Sequence, residues 1–175
     1  VNKGAEDIAI ESVSMSAERA GHSLGMLNGS LSAVTGWFAV DDTVSEEEFQ
    51  GFVRRVVADR EDLQAVQYAP LITDAQRPTT EQQLAAEGHA GAITEPGAGG
   101  VQMAGTRSQY APIVYSYPRR GNESIYGLDV LARSQAEGAI DRARDTGRTQ
   151  VAEMVDIVQG AEPSLLVYAP IYAAD

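Results

Sequence analysis

The clearest pattern in the chain is an apolar stripe in its first third. Ile10, Val13, Ala17, Ala20, Leu24, Leu27, Leu31, Val34 and Phe38 are spaced alternately by three and four. That heptad seam predicts one long helix filling an N-terminal unit, residues 1–44, with Leu24, Leu27 and Leu31 buried. Gly21, Gly25 and Gly29 recur every four residues and stack along another line of the same helix. Each glycine costs about 1 kcal/mol of helix propensity against alanine, so three in register imply close approach of another backbone. The partner is either the domain's own sheet or a second copy of the helix.

Ser45-Glu46-Glu47-Glu48 reads as a capping box that opens a second helix, with Phe49, Phe52, Val53, Val56 and Val57 on its apolar face. Thr80-Glu81-Gln82-Gln83 opens a third, stopped by Gly88, and Ser134-Gln135-Ala136-Glu137 opens a fourth that ends at Gly147. Strand-like runs cover 63–73, 109–117, 124–131, 151–158 and 165–173. Three of them carry one signature: Tyr68-Ala69-Pro70, Tyr110-Ala111-Pro112 and Tyr168-Ala169-Pro170. Proline cannot donate to a sheet ladder, so each belongs at an edge, a strand start or a bulge. The glycine-rich stretch 88–105 reads as a mobile loop or lid. Together these elements predict an α+β fold: a long N-terminal helix followed by antiparallel sheet.

Composition narrows the function. The chain has 25 acidic against 13 basic residues, a formal net charge of -12, which repels nucleic acid and anionic lipid. It has no cysteine, which excludes disulfides, thiol catalysis and thiolate metal sites. Ala20 to Val40 carries no Asp, Glu, Lys or Arg, over about the length of a membrane span. His22, Ser23, Asn28, Ser30, Ser32 and Thr35 interrupt it, so it reads as a helix buried against protein. His22 lies in the seam. His89 lies in the glycine-rich stretch without a metal-ligand motif around it. No G-x-S-x-G elbow or P-loop occurs. No catalytic residue, metal or cofactor is therefore expected, and the chain is not read as an enzyme. Asp41-Asp42 and Glu46-Glu47-Glu48 are explained by a turn and a helix N-terminus.

The candidate binding residues cluster in the central block. Arg107, Tyr110, Tyr115, Tyr117 and Tyr126 fall on or beside adjacent strand-like runs, and alternation puts Tyr115 on one face with Ile113 and Tyr117. Tyrosines offer flat apolar bodies with polar tips, which suits either a small pocket or an ordinary half-buried sheet.

The same block resembles the CHASE sensory domain. Tyr110-Ala111-Pro112-Ile113-Val114-Tyr115 is followed by Pro118, Asn122, Gly127-Leu128-Asp129 and a helix closing in Ala143-Arg144-Asp145-Thr146-Gly147. A later strand ends in Tyr168-Ala169-Pro170-Ile171-Tyr172. Upstream, the Phe49-to-Arg60 helix, Val66-Gln67-Tyr68-Ala69-Pro70 and Ile93-Thr94-Glu95 fit the family's order. The resemblance implies an extracytoplasmic sensor held between two membrane helices of a receptor with a kinase or cyclase output, with 1–44 as a stalk that dimerises. It implies a membrane-distal, PAS-like ligand-binding unit over 45–135, and a connecting helix with the start of a membrane-proximal unit over 136–175. The implied small-molecule site comprises Arg107, Tyr110, Ile113, Tyr115, Tyr126, Leu128 and Asp129. Asp129 either meets ligand or caps the helix that follows, and Arg107 meets a ligand carboxylate or a local acid. Plant relatives that bind cytokinins read Arg-Asp-Glu where this chain has Arg107-Ser108-Gln109, so an adenine-type cytokinin is not expected. The alternative is a ligand-free dimerisation or protein-interaction module. A tightly filled sheet face would favour that alternative; a cavity lined by Tyr115, Tyr126 and Asp129 would count against it.

Overall fold

The computed structural model describes residues 7–14, 20–40, 43–58, 60, 63–132, 134–152 and 164–172. In chain order the elements are β1 (Asp7–Ser14), α1 (Ala20–Phe38), α2 (Glu46–Val56), β2 (Leu63–Pro70), β3 (Ile72–Thr73), α3 (Arg77–Ala86), β4 (Thr94–Gly97) and β5 (Gly100–Met103). They continue with β6 (Gln109–Tyr110), β7 (Tyr115–Tyr117), α4 (Ser134–Thr146), β8 (Gln150–Val151) and β9 (Ser164–Ile171). The main sheet is antiparallel throughout, in the order β7-β2-β1-β9-β8.

The N-terminus departs from expectation. The seam predicted a single helix over 1–44, but its first two positions, Ile10 and Val13, lie in strand β1. β-Branched Ile8, Ile10 and Val13 lose side-chain freedom in a helix and suit a strand. β1 also finds a partner on each edge, and this long-range pairing overrides the local period. Asp7 to Ser12 pair with Pro70 to Ala65 on one side, and Asp7 to Ser14 with Ile171 to Ser164 on the other. Ile8, Ala9 and Ile10 are all buried, so both faces of the strand are covered.

The helical half of the seam begins at Ala20. Leu31, Val34 and Phe38 are buried, while Gly29, Ser32, Ala33 and Gly36 are exposed. α1 packs on β1 and β9, so this apolar line serves the domain's own sheet. A Cβ built on Gly29 meets nothing within 4 Å, so here the glycine line faces outward. The expected burial of Leu24 and Leu27 lies outside the described residues, as do the side-chain surroundings of Gly21, His22 and Gly25 and the Asp41-Asp42 turn. Among the described residues, no helix is long and apolar enough to cross a membrane.

The capping box at α2 is present as expected: the Ser45 hydroxyl accepts from the Glu48 backbone N–H, and the Glu48 carboxylate accepts from the Ser45 backbone N–H. α3 starts earlier than Thr80. Thr73 and Gln76 close a capping box over a 3-10 turn, Asp74–Gln76, that leads into Arg77–Ala86. Thr80 instead turns its hydroxyl back to the Gln76 carbonyl, 3.2 Å away. The expected lid over 88–105 contains a hairpin, β4–β5, with every residue of β5 exposed. The expected strand over 124–131 consists of two 3-10 turns, Glu123–Ile125 and Val130–Ala132, joined by a short link. The expected strand over 151–158 lies, beyond residue 152, outside the described residues. β7 and β2 join β8 and β9 in one sheet, so residues on both sides of position 135 share it.

Two of the three Tyr-Ala-Pro segments have equivalent places. β2 and β9 flank β1 and carry Tyr-Ala-Pro at the same end of it, one residue out of step, with Pro70 opposite Asp7 and Pro170 opposite Ile8. Pro70 closes its strand where a strand start was one of the expected places, and Pro170 lies opposite Ile8, beyond Tyr168, the last β9 residue paired with β8.

One face of the sheet is closed by aromatic side chains. Tyr68 and Tyr115 lie opposite each other in register. Phe38 stacks on Tyr68 at 4.1 Å, Phe49 meets Tyr115 at 5.6 Å, and Trp37 stacks on Phe52 at 4.4 Å. α1 and α2 are thereby fastened over this face.

The link at Gly127 laces the rest together. The Gly127 N–H donates to the Ile113 carbonyl at 2.8 Å, and its own carbonyl accepts from Thr94 at 2.9 Å. Ile113 donates to Leu128 at 3.1 Å, Asp129 to Thr94 at 2.8 Å, and Val130 to Ala111 at 3.0 Å. Gly127 has φ +82, and a Cβ there would overlap the Ala92 carbonyl oxygen. The motif glycine is therefore required twice, for its backbone angle and for the close approach. Gly127→Ala should lose about 2–4 kcal/mol of stability, combining left-handed strain with overpacking. Chemical denaturation would measure it, and a loss under about 0.5 kcal/mol would contradict this account.

Candidate functional site

Asp129 is fully buried at the end of the Gly127 link. Its Oδ1 accepts two backbone N–H groups, from Ala111 at 2.8 Å and from Leu131 at 3.0 Å. The second of these caps the Val130–Ala132 turn. Oδ2 is buried without a hydrogen bond and lies 3.4 Å from Arg107 Nη1. Burial pushes the Asp129 carboxyl above its ordinary value, against the two backbone donors and the Arg107 charge, which pull it down.

Arg107 is held by local acids, Glu95 through Nη2 and Asp129 through Nη1. Its side chain is 30% exposed, so it forms the outer wall of the cluster. Tyr110 stands behind it, fully buried in a small second core with Ile72, Ile93 and Ala104. The Tyr110 hydroxyl accepts from the Arg107 backbone N–H at 2.9 Å and from Arg77 Nη1 at 3.3 Å. Its oxygen also lies 2.9 Å from Asp74 Oδ1 and 3.1 Å from the Gly105 carbonyl, either of which takes its proton. The Arg77 and Arg107 guanidinium groups lie 5.2 and 5.5 Å from the Tyr110 ring centroid. Arg77 Nε donates to Glu81 Oε1, which also accepts from the Ile93 backbone N–H, so α3 is tied to the start of β4.

The sequence-predicted residues therefore separate. Arg107, Tyr110 and Asp129 come together. Ile113 and Leu128 are buried in the main apolar core and shape it from within. Tyr115 sits under α1 and α2, and its hydroxyl donates to the Val44 carbonyl at 2.9 Å. Tyr126 belongs to another group. Its hydroxyl donates to Glu46, and its ring stacks on His89 at 3.7 Å. Arg119 reaches the same place, with Nη1 3.1 Å from Glu46 Oε2 and Nη2 3.0 Å from the Glu87 carbonyl. Burial, then the Arg119 charge, lowers the His89 imidazole below its ordinary value.

Glu46, Glu87, His89 and Arg119 were not singled out as a site by sequence, because they come from separate segments. Glu95 carried a signal in the Ile93-Thr94-Glu95 run.

The CHASE domain profile matches residues 42–175, which contain all of these residues. The chain belongs to the CHASE family. CHASE domains are extracytoplasmic sensory domains of signalling receptors, sensory and not catalytic. No curated protein matches the chain significantly.

Two substitutions at Asp129 separate its roles. Asp129→Ala strands the Ala111 and Leu131 N–H groups and should lose about 2–4 kcal/mol. Asp129→Asn keeps an acceptor for both and should lose much less. Because the folded carboxyl is raised above 3.8, folding favours its protonated form. The stability it contributes is present below that value and lost as pH rises through the folded value. The Asn variant should thus gain on the native domain between acid and neutral pH. Parallel thermal melts across that range check this, and no difference in pH slope would contradict it.

Tyr115 makes the matching prediction at alkaline pH. Burial, then the Glu87 and Glu46 charges, raise its phenol from 10.0 to about 12. Stability from the neutral phenol is full below pH 10 and falls as pH rises towards about 12. Tyr115→Phe should flatten that fall while losing about 0.5–1.5 kcal/mol of hydrogen bond at neutral pH. Circular dichroism during alkaline titration reads both effects, and an unchanged alkaline slope would contradict the assignment.

Proposed function

We propose that this CHASE domain is the extracytoplasmic sensor of a transmembrane receptor and binds a small carboxylate at Arg107 and Asp129. The observation that carries the reading is the second oxygen of Asp129, buried without a hydrogen-bond donor behind a partly exposed arginine. A ligand carboxylate would take the Arg107 fork from Glu95, and a ligand N–H or ammonium group would reach Asp129 Oδ2. Entry requires Arg107 or the exposed β4–β5 hairpin to move.

The signal would travel by population shift: a ligand that binds one arrangement better favours it. Asp7 and Ile171 pair in register, so the chain enters and leaves the sheet at one end. That geometry suits a domain joined through both flanks to spans in one membrane, driving a kinase or cyclase. Helix α1, with Gly29 facing open space, is the surface proposed for a stalk-like contact between two copies.

The second reading, a ligand-free dimerisation or protein-interaction module, draws on the aromatic face. Phe38 and Phe49 fill the space over Tyr68 and Tyr115, leaving that face to packing.

Calorimetry with free amino acids, small dicarboxylates and trans-zeatin tests the two readings. The ligand reading expects no submicromolar affinity for trans-zeatin. It expects at least one small carboxylate to bind and to weaken about tenfold or more in Arg107→Ala, since a buried charged hydrogen bond is lost. Binding indifferent to Arg107→Ala would overturn the site at Arg107 and Asp129, and no binding across the panel would favour the ligand-free reading.

A further inference from the structure

The cluster around His89 has a feature that side-chain packing leaves unexplained. Glu46 is the first residue of α2, Glu87 follows the last residue of α3, and His89 lies two residues further on. One donor atom from each lies within 4.8 Å of the others. The His89 side chain is only 4% exposed, and Nε2 has no hydrogen-bond partner. Glu87 Oε2 is likewise buried without one. His89 Nε2 lies 3.8 Å from Glu46 Oε2, too far for a hydrogen bond between them. His89 Nε2 and Glu87 Oε2 are thus buried polar atoms in want of a partner, and their side chains share this small space with the Glu46 carboxylate.

A cationic group already occupies the edge of this space. Arg119 spans it from the Glu46 carboxylate to the Glu87 carbonyl, and its side chain is 45% exposed. The supports around the cluster are those that ligands need. Tyr126 donates to the other oxygen of Glu46 and stacks flat on the imidazole, fixing both. The Ser45 cap fixes the helix end that carries Glu46.

We infer that Glu46, Glu87 and His89 form a binding site for one divalent transition-metal ion of the zinc class. One imidazole nitrogen and two carboxylate oxygens match that class, whereas calcium and magnesium prefer oxygen alone. Ligand bonds of about 2.0–2.2 Å require the three donors to close by roughly 1 Å. The fourth position is open to water or to a group from outside. Arg119 competes with the metal for Glu46 and must swing towards solvent as the ion enters. The site would staple the start of α2 to the end of α3. It stands apart from the small-ligand reading: either one can fail while the other holds.

The test is zinc titration of the chelator-stripped domain by calorimetry and thermal melting, with magnesium and calcium as comparisons. The expected result is one zinc per chain with a rise in melting temperature, and little response to magnesium or calcium. His89→Ala and Glu87→Gln should each weaken zinc about tenfold or more, Arg119→Ala should tighten it, and His22→Ala should leave it unchanged. Glu87→Gln preserves shape and serves if His89→Ala fails to fold. Cobalt substitution should give a four-coordinate visible spectrum that His89→Ala, or Glu87→Gln in its place, abolishes. Zinc binding that survives both ligand variants, or that magnesium matches, would overturn the site.

Discussion

Strand β1 is hydrogen-bonded on both edges, and the rest of the architecture hangs on that pairing. A segment near the start of the chain must find β2 on one side and β9, near residue 171, on the other. Until both partners arrive, Ile8, Ala9 and Ile10 have no buried face to occupy. The sheet therefore rests on pairings far apart in sequence, which carry a loop-closure cost that local contacts do not. Its closure also sets the orientation of both Tyr-Ala-Pro strand ends and gives α1 a surface to lie on. Tyr68 links these consequences in one side chain. It lies beside Ala9 in register, stacks under Phe38, and donates its hydroxyl to Asp7 at 2.6 Å.

Much of this was legible wherever local chemistry decides the outcome. The Ser45–Glu48 box and the Gly88 and Gly147 stops follow from residues a few positions apart. The Gly127-Leu128-Asp129 motif was noticed by resemblance, but its reason is spatial: only glycine tolerates so close an approach of the Ala92 carbonyl. β1 was misread because Ile10 and Val13 fit a helical seam and a strand equally well, and the partners that decide between them lie far along the chain. The hairpin at 94–103 was hidden by glycines that signal a turn as readily as a loop. The candidate site was legible in part. Arg107, Tyr110 and Asp129 converge as the motif order suggested, while Tyr115 and Tyr126 were assigned to the same place because strand alternation cannot say what covers a face.

The electrostatics explain how so acidic a chain keeps carboxylates inside. Asp129, Glu95 and Glu81 are each held by an arginine or a backbone N–H. Planar guanidinium groups suit this role because one head serves two partners at once. Arg107 joins Glu95 to Asp129, Arg77 joins Glu81 to Tyr110, and Arg119 joins Glu46 to the Glu87 carbonyl. The few unsatisfied buried atoms are therefore informative. Asp129 Oδ2, His89 Nε2 and Glu87 Oε2 lie in two places where an arginine stands at the rim, while Ser116 Oγ is buried without a hydrogen bond in β7.

These two places are mechanically connected. Tyr126 and Asp129 sit at opposite ends of one short link, and that link is clamped at Gly127 beneath Ala92 and hydrogen-bonded to both Ile113 and Thr94. Helix α3 forms a second bridge, with Arg77 and Glu81 at one end serving Tyr110 and β4, and Glu87 at the other beside His89. One carrier is held by close backbone contact, and the other is an α-helix. A ligand at either cluster that shifts one carrier must work against the packing of the other. Linkage then makes the effect reciprocal, so whatever one ligand does to the affinity of the second, the second does to the first.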